Sequence, residues 1–218
     1  MKKYRLIMFD LDGTIADTSE GVIHCVKYTE EKLQLRNLSE DIYKKFIGPP
    51  TGDSYSRYYG LTGEALDRAV QAHKTYAVRH GIYEATLYPG IRELLDSLTA
   101  DGVTLAVVTL KLRESAEKML KHFRLDGYFD VVAAAAGTES KKSDLIELCL
   151  EKVGISREDA VMVGDSEYDR IGAMESMVDF LGVTYGFGFH SKSDIEEPPC
   201  VAVAENVEEI YQLLREWG

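Results

Sequence analysis

The chain has 218 residues, 45% of them hydrophobic and 28% charged, enough to bury one large domain or one domain with a smaller companion. A formal net charge of −12 makes the surface repel nucleic acid and anionic membrane, so neither is an expected partner and any anionic ligand must be held by local cations. Three cysteines, Cys25, Cys149 and Cys200, are too few and too scattered for a disulfide framework or a C-x-x-C metal motif, which places the expected home in a reducing cytoplasm.

Met1-Lys2-Lys3 is basic like the start of a signal peptide, but the apolar run behind it lasts only from Leu6 to Phe9, and no exported or membrane-spanning segment is expected. That run reads as a buried strand ending in Asp10, Leu11, Asp12 and Gly13. From residue 17 to residue 85 the pattern is helical only. Val22, Val26, Thr29 and Leu33 share one helix face, as do Leu66, Val70, His73 and Ala77. Asp17 with Glu20 has capping-box spacing, and Gly48-Pro49-Pro50 stops a short helix that follows Ser39. Beyond residue 88, apolar runs at Val103 to Val108, Val131 to Ala135, Val161 to Val163, Phe180 to Val183 and Val201 to Val203 alternate with amphipathic stretches of helical length. The alternation predicts a doubly wound parallel α/β sheet, built from residues 1–16 and 86–218, with an all-α insertion over 17–85 above the strand tips.

Ligands of such sheets sit at the carboxyl ends of the strands, where Asp10 and Asp12 lie. Taken alone, an Asp-Gly tip is an ordinary turn. A second acidic cluster, Gly164, Asp165 and Asp169, follows the run Val161 to Val163 in the same way. Two acidic strand tips repel unless a cation sits between them, and an oxygen-only site suits Mg²⁺.

Asp10-Leu11-Asp12-Gly13-Thr14, with Ile15 and Asp17 after it, resembles the first motif of the haloacid dehalogenase superfamily, in its phosphoglycolate-phosphatase-like branch. The helical insertion is similar to that superfamily's small cap, and the likeness spans essentially the whole chain. It implies that Asp10 is a nucleophile toward phosphorus, that Asp12 is the general acid and base, and that Thr109 holds the transferring phosphoryl group. It also implies a lysine that neutralises charge beside the nucleophile, and a Mg²⁺ held by Asp10, the main-chain carbonyl of Asp12 and Asp165. Asp169 would act through water or by orienting the lysine. An acid at position 12 speaks for phosphate rather than carbon–halogen chemistry. Leu110, Leu112 and Ser143 depart from residues common at those places in the superfamily.

Two lysines compete for the third role. At about 100° per residue, Lys142 falls roughly 20° from Cys149, within the stripe of Leu145, Ile146 and Val153, whereas Lys141 falls roughly 80° away. Lys142 is therefore the inward residue, and a lysine there needs an anionic partner. Lys111 reads as a solvated helix-start residue or as a neighbour of the substrate. His73, Cys25 and Cys149 read as packing residues. The insertion is rich in tyrosine, mostly for packing. Gly48, Tyr55, Arg57 and Tyr58 are the candidates for reaching a substrate's remote end, with Lys44 and Lys45 as solvated charges.

These readings lead to a Mg²⁺-dependent phosphatase acting on a small phosphorylated metabolite, phosphoglycolate or a nucleoside monophosphate, as a monomer or homodimer. A phosphomutase and a non-catalytic binder of phosphorylated metabolites are the alternatives.

Overall fold

The computed structural model describes residues 4–137, 140–195 and 199–216. Met1 to Lys3, and Glu139 ahead of the two competing lysines, lie outside them. The strands are β1 (Leu6–Phe9), β2 (Ala16–Asp17), β3 (Thr86–Leu87), β4 (Thr104–Leu112), β5 (Val131–Ala135), β6 (Ala160–Gly164), β7 (Asp179–Val183) and β8 (Cys200–Ala204). Six of them form one parallel sheet in the order β5-β4-β1-β6-β7-β8. The first strand of the chain therefore occupies the middle, with Phe9 level with Val107 on one side and Val163 on the other.

Both faces of β1 are covered, which is why it carries an unbroken apolar run rather than an alternating one. Ile7 and Phe9 pack toward helices α5 (Ile91–Ala100), α6 (Arg113–His122) and α9 (Val207–Glu216). Leu6 and Met8 pack toward α7 (Lys142–Val153) and α8 (Glu167–Glu175). A chain that must cover both faces cannot place polar groups along β1, so its acids fall at the tip.

Strand β4 differs from expectation. It does not stop near Val108 but runs on to Leu112, with its pairing to β5 shifted between Thr109 and Leu112. The irregularity re-aims the side chains of this segment, as β-bulges do. Asp17 likewise does not complete a capping box with Glu20. Its carboxylate accepts the Ser19 N–H at 2.9 Å, and helix α1 (Ser19–Leu33) begins after Thr18.

Helices α1, α2 (Glu40–Lys44), α3 (Thr51–Tyr59) and α4 (Gly63–Arg79) form a layer with its own core of Val26, Leu38, Tyr43, Phe46, Tyr55 and Ala69. At its centre the buried Glu30 carboxylate accepts hydrogen bonds from Tyr59 at 2.6 Å, Tyr43 at 2.8 Å and the Leu38 N–H at 3.0 Å. The two connections to the sheet, β2 and β3, pair antiparallel with each other. An ion pair of 3.2 Å between Lys74 on α4 and Glu114 on α6 also bridges the two layers. No helix among the described residues is long and apolar enough to cross a membrane.

Glu30→Ala should be destabilising, because three donors lose their acceptor inside the helical layer. Each is worth on the order of 1 kcal/mol or more, so the chemical-denaturation free energy should fall by about 2–4 kcal/mol. An unchanged unfolding midpoint would show that the tyrosines find other partners.

Candidate active site

Four segments converge at the carboxyl edge of the sheet. The Asp10 N–H donates to the Val163 carbonyl at 2.9 Å, which fixes the β1 tip against β6. The first turn of α7 carries Lys142 inward, where it is 5% exposed, while Lys141 faces solvent. Lys142 Nζ lies 2.8 Å from Asp10 Oδ1 and 2.7 Å from Asp169 Oδ1, and donates to the Val108 carbonyl at 3.0 Å. The ammonium thus ties β1, β4, α7 and α8 together. Burial alone would lower its pKa, but Asp10 and Asp169 more than reverse that and hold it charged.

Asp169, fully buried, also accepts the Ser166 N–H at 3.1 Å and the Ser166 hydroxyl at 2.7 Å through Oδ2. Both of its oxygens are engaged, so it positions Lys142 from the start of α8. Asp165 Oδ2 accepts main-chain N–H groups of Phe187 at 2.7 Å and Gly188 at 3.2 Å, and Oδ1 faces the Thr14 hydroxyl at 3.3 Å. Gly13 makes this possible. Its φ of +83° suits glycine, and a Cβ there would stand 2.4 Å from Asp165 Oδ2.

Oxygens of Asp10, Asp165 and Asp169 lie within 4.8 Å of one another, and all three residues are buried. Burial raises the pKa of Asp10 despite the opposing charge of Lys142, and burial together with Asp169 raises that of Asp165. A site that disfavours its own carboxylates in this way favours a cation. Around it four carboxylates, those of Asp10, Asp12, Asp165 and Asp169, face two ammonium groups, those of Lys142 and Lys111. The two remaining negative charges and the all-oxygen donor set match one hard divalent ion.

The Asp12 side chain turns away from this cluster. Lys111 Nζ donates to both of its oxygens, at 2.8 and 3.1 Å, and both side chains are largely covered. Lys111 is therefore not the solvated helix-start residue that the sequence suggested. The β4 irregularity keeps it on the strand and points it at Asp12. Thr109 is 1% exposed, and its hydroxyl accepts the Lys111 N–H at 3.1 Å.

Asp12 and Lys111 line a partly open cavity of about 50 Å³ together with Phe46, Gly48, Thr51 and His73 of the helical layer. Of the residues expected to reach a substrate, only Gly48 and Lys111 line it. Tyr55 is wholly buried in the layer's own core, between Phe46 and Tyr59. Arg57 is exposed and stacks over the Tyr58 ring, which packs on Phe46. Helix α3 spends this face on its own packing, so the reach to the site comes from its first turn. Sequence reading passed over Thr14 and the glycine-flanked turn at Phe187 and Gly188. Thr14 stood in the first motif without a role of its own, and the turn showed only as a Gly-rich stretch after β7.

The model of the family described as haloacid dehalogenase-like hydrolase matches residues 7–183. A 5′-nucleotidase from Pseudomonas aeruginosa is 32% identical over 198 residues, covering 90% of each chain. Tyrosine-protein kinase PtkA of Mycobacterium tuberculosis is 30% identical over 212 residues, 96% of this chain and 72% of that one. A predicted phosphatase from Clostridium acetobutylicum, known by its crystal structure, superposes with a TM-score of 0.91 at 34% identity over 98% of this chain and 99% of that one. The family match over residues 7–183, the relatives of 30% identity and more, and the close superposition show that the chain belongs to the haloacid dehalogenase-like hydrolase family, among its phosphatases.

Proposed function

We propose that this protein is a Mg²⁺-dependent phosphatase that cleaves a small phosphomonoester in the cytoplasm through an aspartyl-phosphate on Asp10. The observation that carries the reading is the contact of Lys142 with both Asp10 and Asp169 beside Asp165, with Asp12 two residues from Asp10 and under separate control of Lys111.

Asp10 Oδ1 is held by Lys142, and Oδ2 has no hydrogen bond among the described residues, which leaves it to attack phosphorus. Lys142 and the Thr109 hydroxyl stand where they can take the phosphoryl oxygens, so charge that spreads onto those oxygens meets fixed donors. Asp12 delivers a proton to the departing oxygen and later takes one from the water that splits the acyl phosphate. For that proton to reside on Asp12, its two contacts with Lys111 must open, and an arriving phosphate dianion competes for the same ammonium. Mg²⁺ held by Asp10, Asp165 and the Asp12 carbonyl would supply further positive charge for those oxygens, with Asp169 keeping Lys142 in place.

The helical layer acts as the cap, over residues 17–85. Paired strands β2 and β3 serve as its hinge, and the Lys74–Glu114 contact joins its far side to the core. Phosphoglycolate and a nucleoside monophosphate remain the two esters in view. The name of the Pseudomonas relative supports the second, and the small cavity over Asp12 supports the first. Transfer to an acceptor other than water, as in a mutase or as the name of the mycobacterial relative describes for that protein, would use the same residues. Free phosphate rather than a rearranged or newly phosphorylated product is the expected outcome.

Asp10→Asn should lower turnover of p-nitrophenyl phosphate by about a thousandfold or more while the circular dichroism spectrum stays native. Substantial residual turnover would mean that another residue attacks. Lys142→Ala should lose about a hundredfold or more and Lys141→Ala almost nothing. The reverse ranking would place the wrong lysine in the site. Treatment with EDTA should abolish turnover and Mg²⁺ restore it, with Mg²⁺ also raising the thermal midpoint of the metal-free protein. Full turnover in EDTA would contradict the metal assignment.

A further inference from the structure

We infer that His73 of the cap is a specificity-determining residue whose Nε2–H donates a hydrogen bond to an acceptor oxygen on the substrate's leaving group. The inference rests on the phosphatase reading above and deepens it.

His73 is 92% buried, being 8% exposed, and its ring forms part of the cavity that holds Asp12 and Lys111. Nδ1 lies 3.1 Å from the Tyr55 hydroxyl, and the two rings meet edge to face at 84°. Tyr55 cannot swing away, being fully buried against Phe46 and Tyr59. Burial keeps the proton on the Tyr55 oxygen, and we assign that O–H as the donor to Nδ1. An imidazole that accepts at Nδ1 carries its own hydrogen on Nε2. Nε2 has no partner among the described residues, and it is not among the buried side-chain atoms sealed without one. The edge that Tyr55 leaves over is thus the edge available to the cavity.

Charge points the same way. Burial and the nearby Lys111 hold His73 far below the usual histidine range, at about 3, so the ring offers a neutral donor. Of the charged groups around the cavity, Lys111 is shared between Asp12 and the arriving phosphate, and Lys74 reaches out to Glu114. Among the uncharged polar side chains of the cap that line it, Thr51 and His73, the ring of His73 is the one held in place by a buried partner. Asp12 must protonate the departing oxygen, so the leaving group has to occupy this cavity. Its volume of about 50 Å³ equals that of three or four waters. The matching class is a phosphate ester with a leaving group of only a few non-hydrogen atoms that bears a carboxylate or hydroxyl oxygen next to the ester carbon. Tyr55, expected from sequence to touch the substrate, is a positioning residue that acts through His73.

The test compares 2-phosphoglycolate with ethyl phosphate, which has the same two-carbon frame and no acceptor. In His73→Leu the ratio of kcat/KM for the two esters should fall about tenfold or more, the worth of one hydrogen bond to a charged group. His73→Gln, which can present an amide N–H near the same point, should recover most of the ratio. An unchanged ratio in His73→Leu, or an equally low one in His73→Gln, would overturn the assignment. Nitrogen-15 spectra of the wild-type imidazole give a reading that needs no substituted protein. A ring protonated at Nε2, whose signal moves when 2-phosphoglycolate is added, supports the role. A ring protonated at Nδ1, or an Nε2 signal that ignores the ester, contradicts it. If p-nitrophenyl phosphate is not turned over with Mg²⁺ either, the phosphatase reading fails, and the nitrogen-15 result still decides the role of His73.

Discussion

The buried ammonium of Lys142 is the interaction on which the rest of this molecule depends. Removing a cation from water is costly unless anions and acceptors replace the lost hydration, and here two carboxylates and the Val108 carbonyl do so. The requirement reaches well beyond the lysine itself. A Cβ at Gly172 would stand 2.6 Å from Lys142 Cγ, and one at Gly164 would stand 2.4 Å from Asp169 Cγ, so α8 approaches both α7 and β6 this closely only because these positions lack side chains. Loss of one member of such a cluster leaves the others charged and dry, at a cost of about 3–5 kcal/mol. Catalytic order and folding stability are therefore coupled in these residues.

The site divides its acids by partner. Asp10, Asp165 and Asp169 share one buried space, while Asp12, only two residues from Asp10, is drawn to Lys111 on the other side. Asp10 and Asp12 both lie beyond the end of β1 at Phe9, where the chain leaves the strand and the β4 irregularity brings Lys111 within reach of Asp12. In the proposed mechanism, Asp10 and Asp12 can then act as nucleophile and proton carrier without sharing a proton. On the proposed reading, recognition of anything beyond the phosphoryl group falls to the helical layer, which lines the cavity with Val22, Phe46, the Gly48–Thr51 turn and α4.

Much of this was legible in the sequence because burial leaves a pattern. The unbroken run Leu6 to Phe9 marked a central strand covered on both faces, and helical phase separated Lys142 from Lys141, as their burial bears out. What stayed hidden depends on contacts between distant segments. Nothing near Asp165 in sequence announces that Phe187 and Gly188 supply its N–H donors. The extension of β4 to Leu112 depends on pairing with Ala135, which local propensity does not show. Tyr55 and His73 sit on helices of similar apolar character, and only their packing distinguishes the residue in the core from the one at the cavity.

The central claim is that Asp10 carries the phosphoryl group during turnover. Rapid acid quenching of the Mg²⁺-loaded protein with a good ester substrate, followed by peptide mass spectrometry, tests it most directly. A phosphoryl group on the peptide that contains Asp10, absent when substrate is omitted and absent in Asp10→Asn, is the predicted result. Turnover at full rate with that peptide unmodified at every quench time, or with the phosphoryl group on another residue, would contradict it.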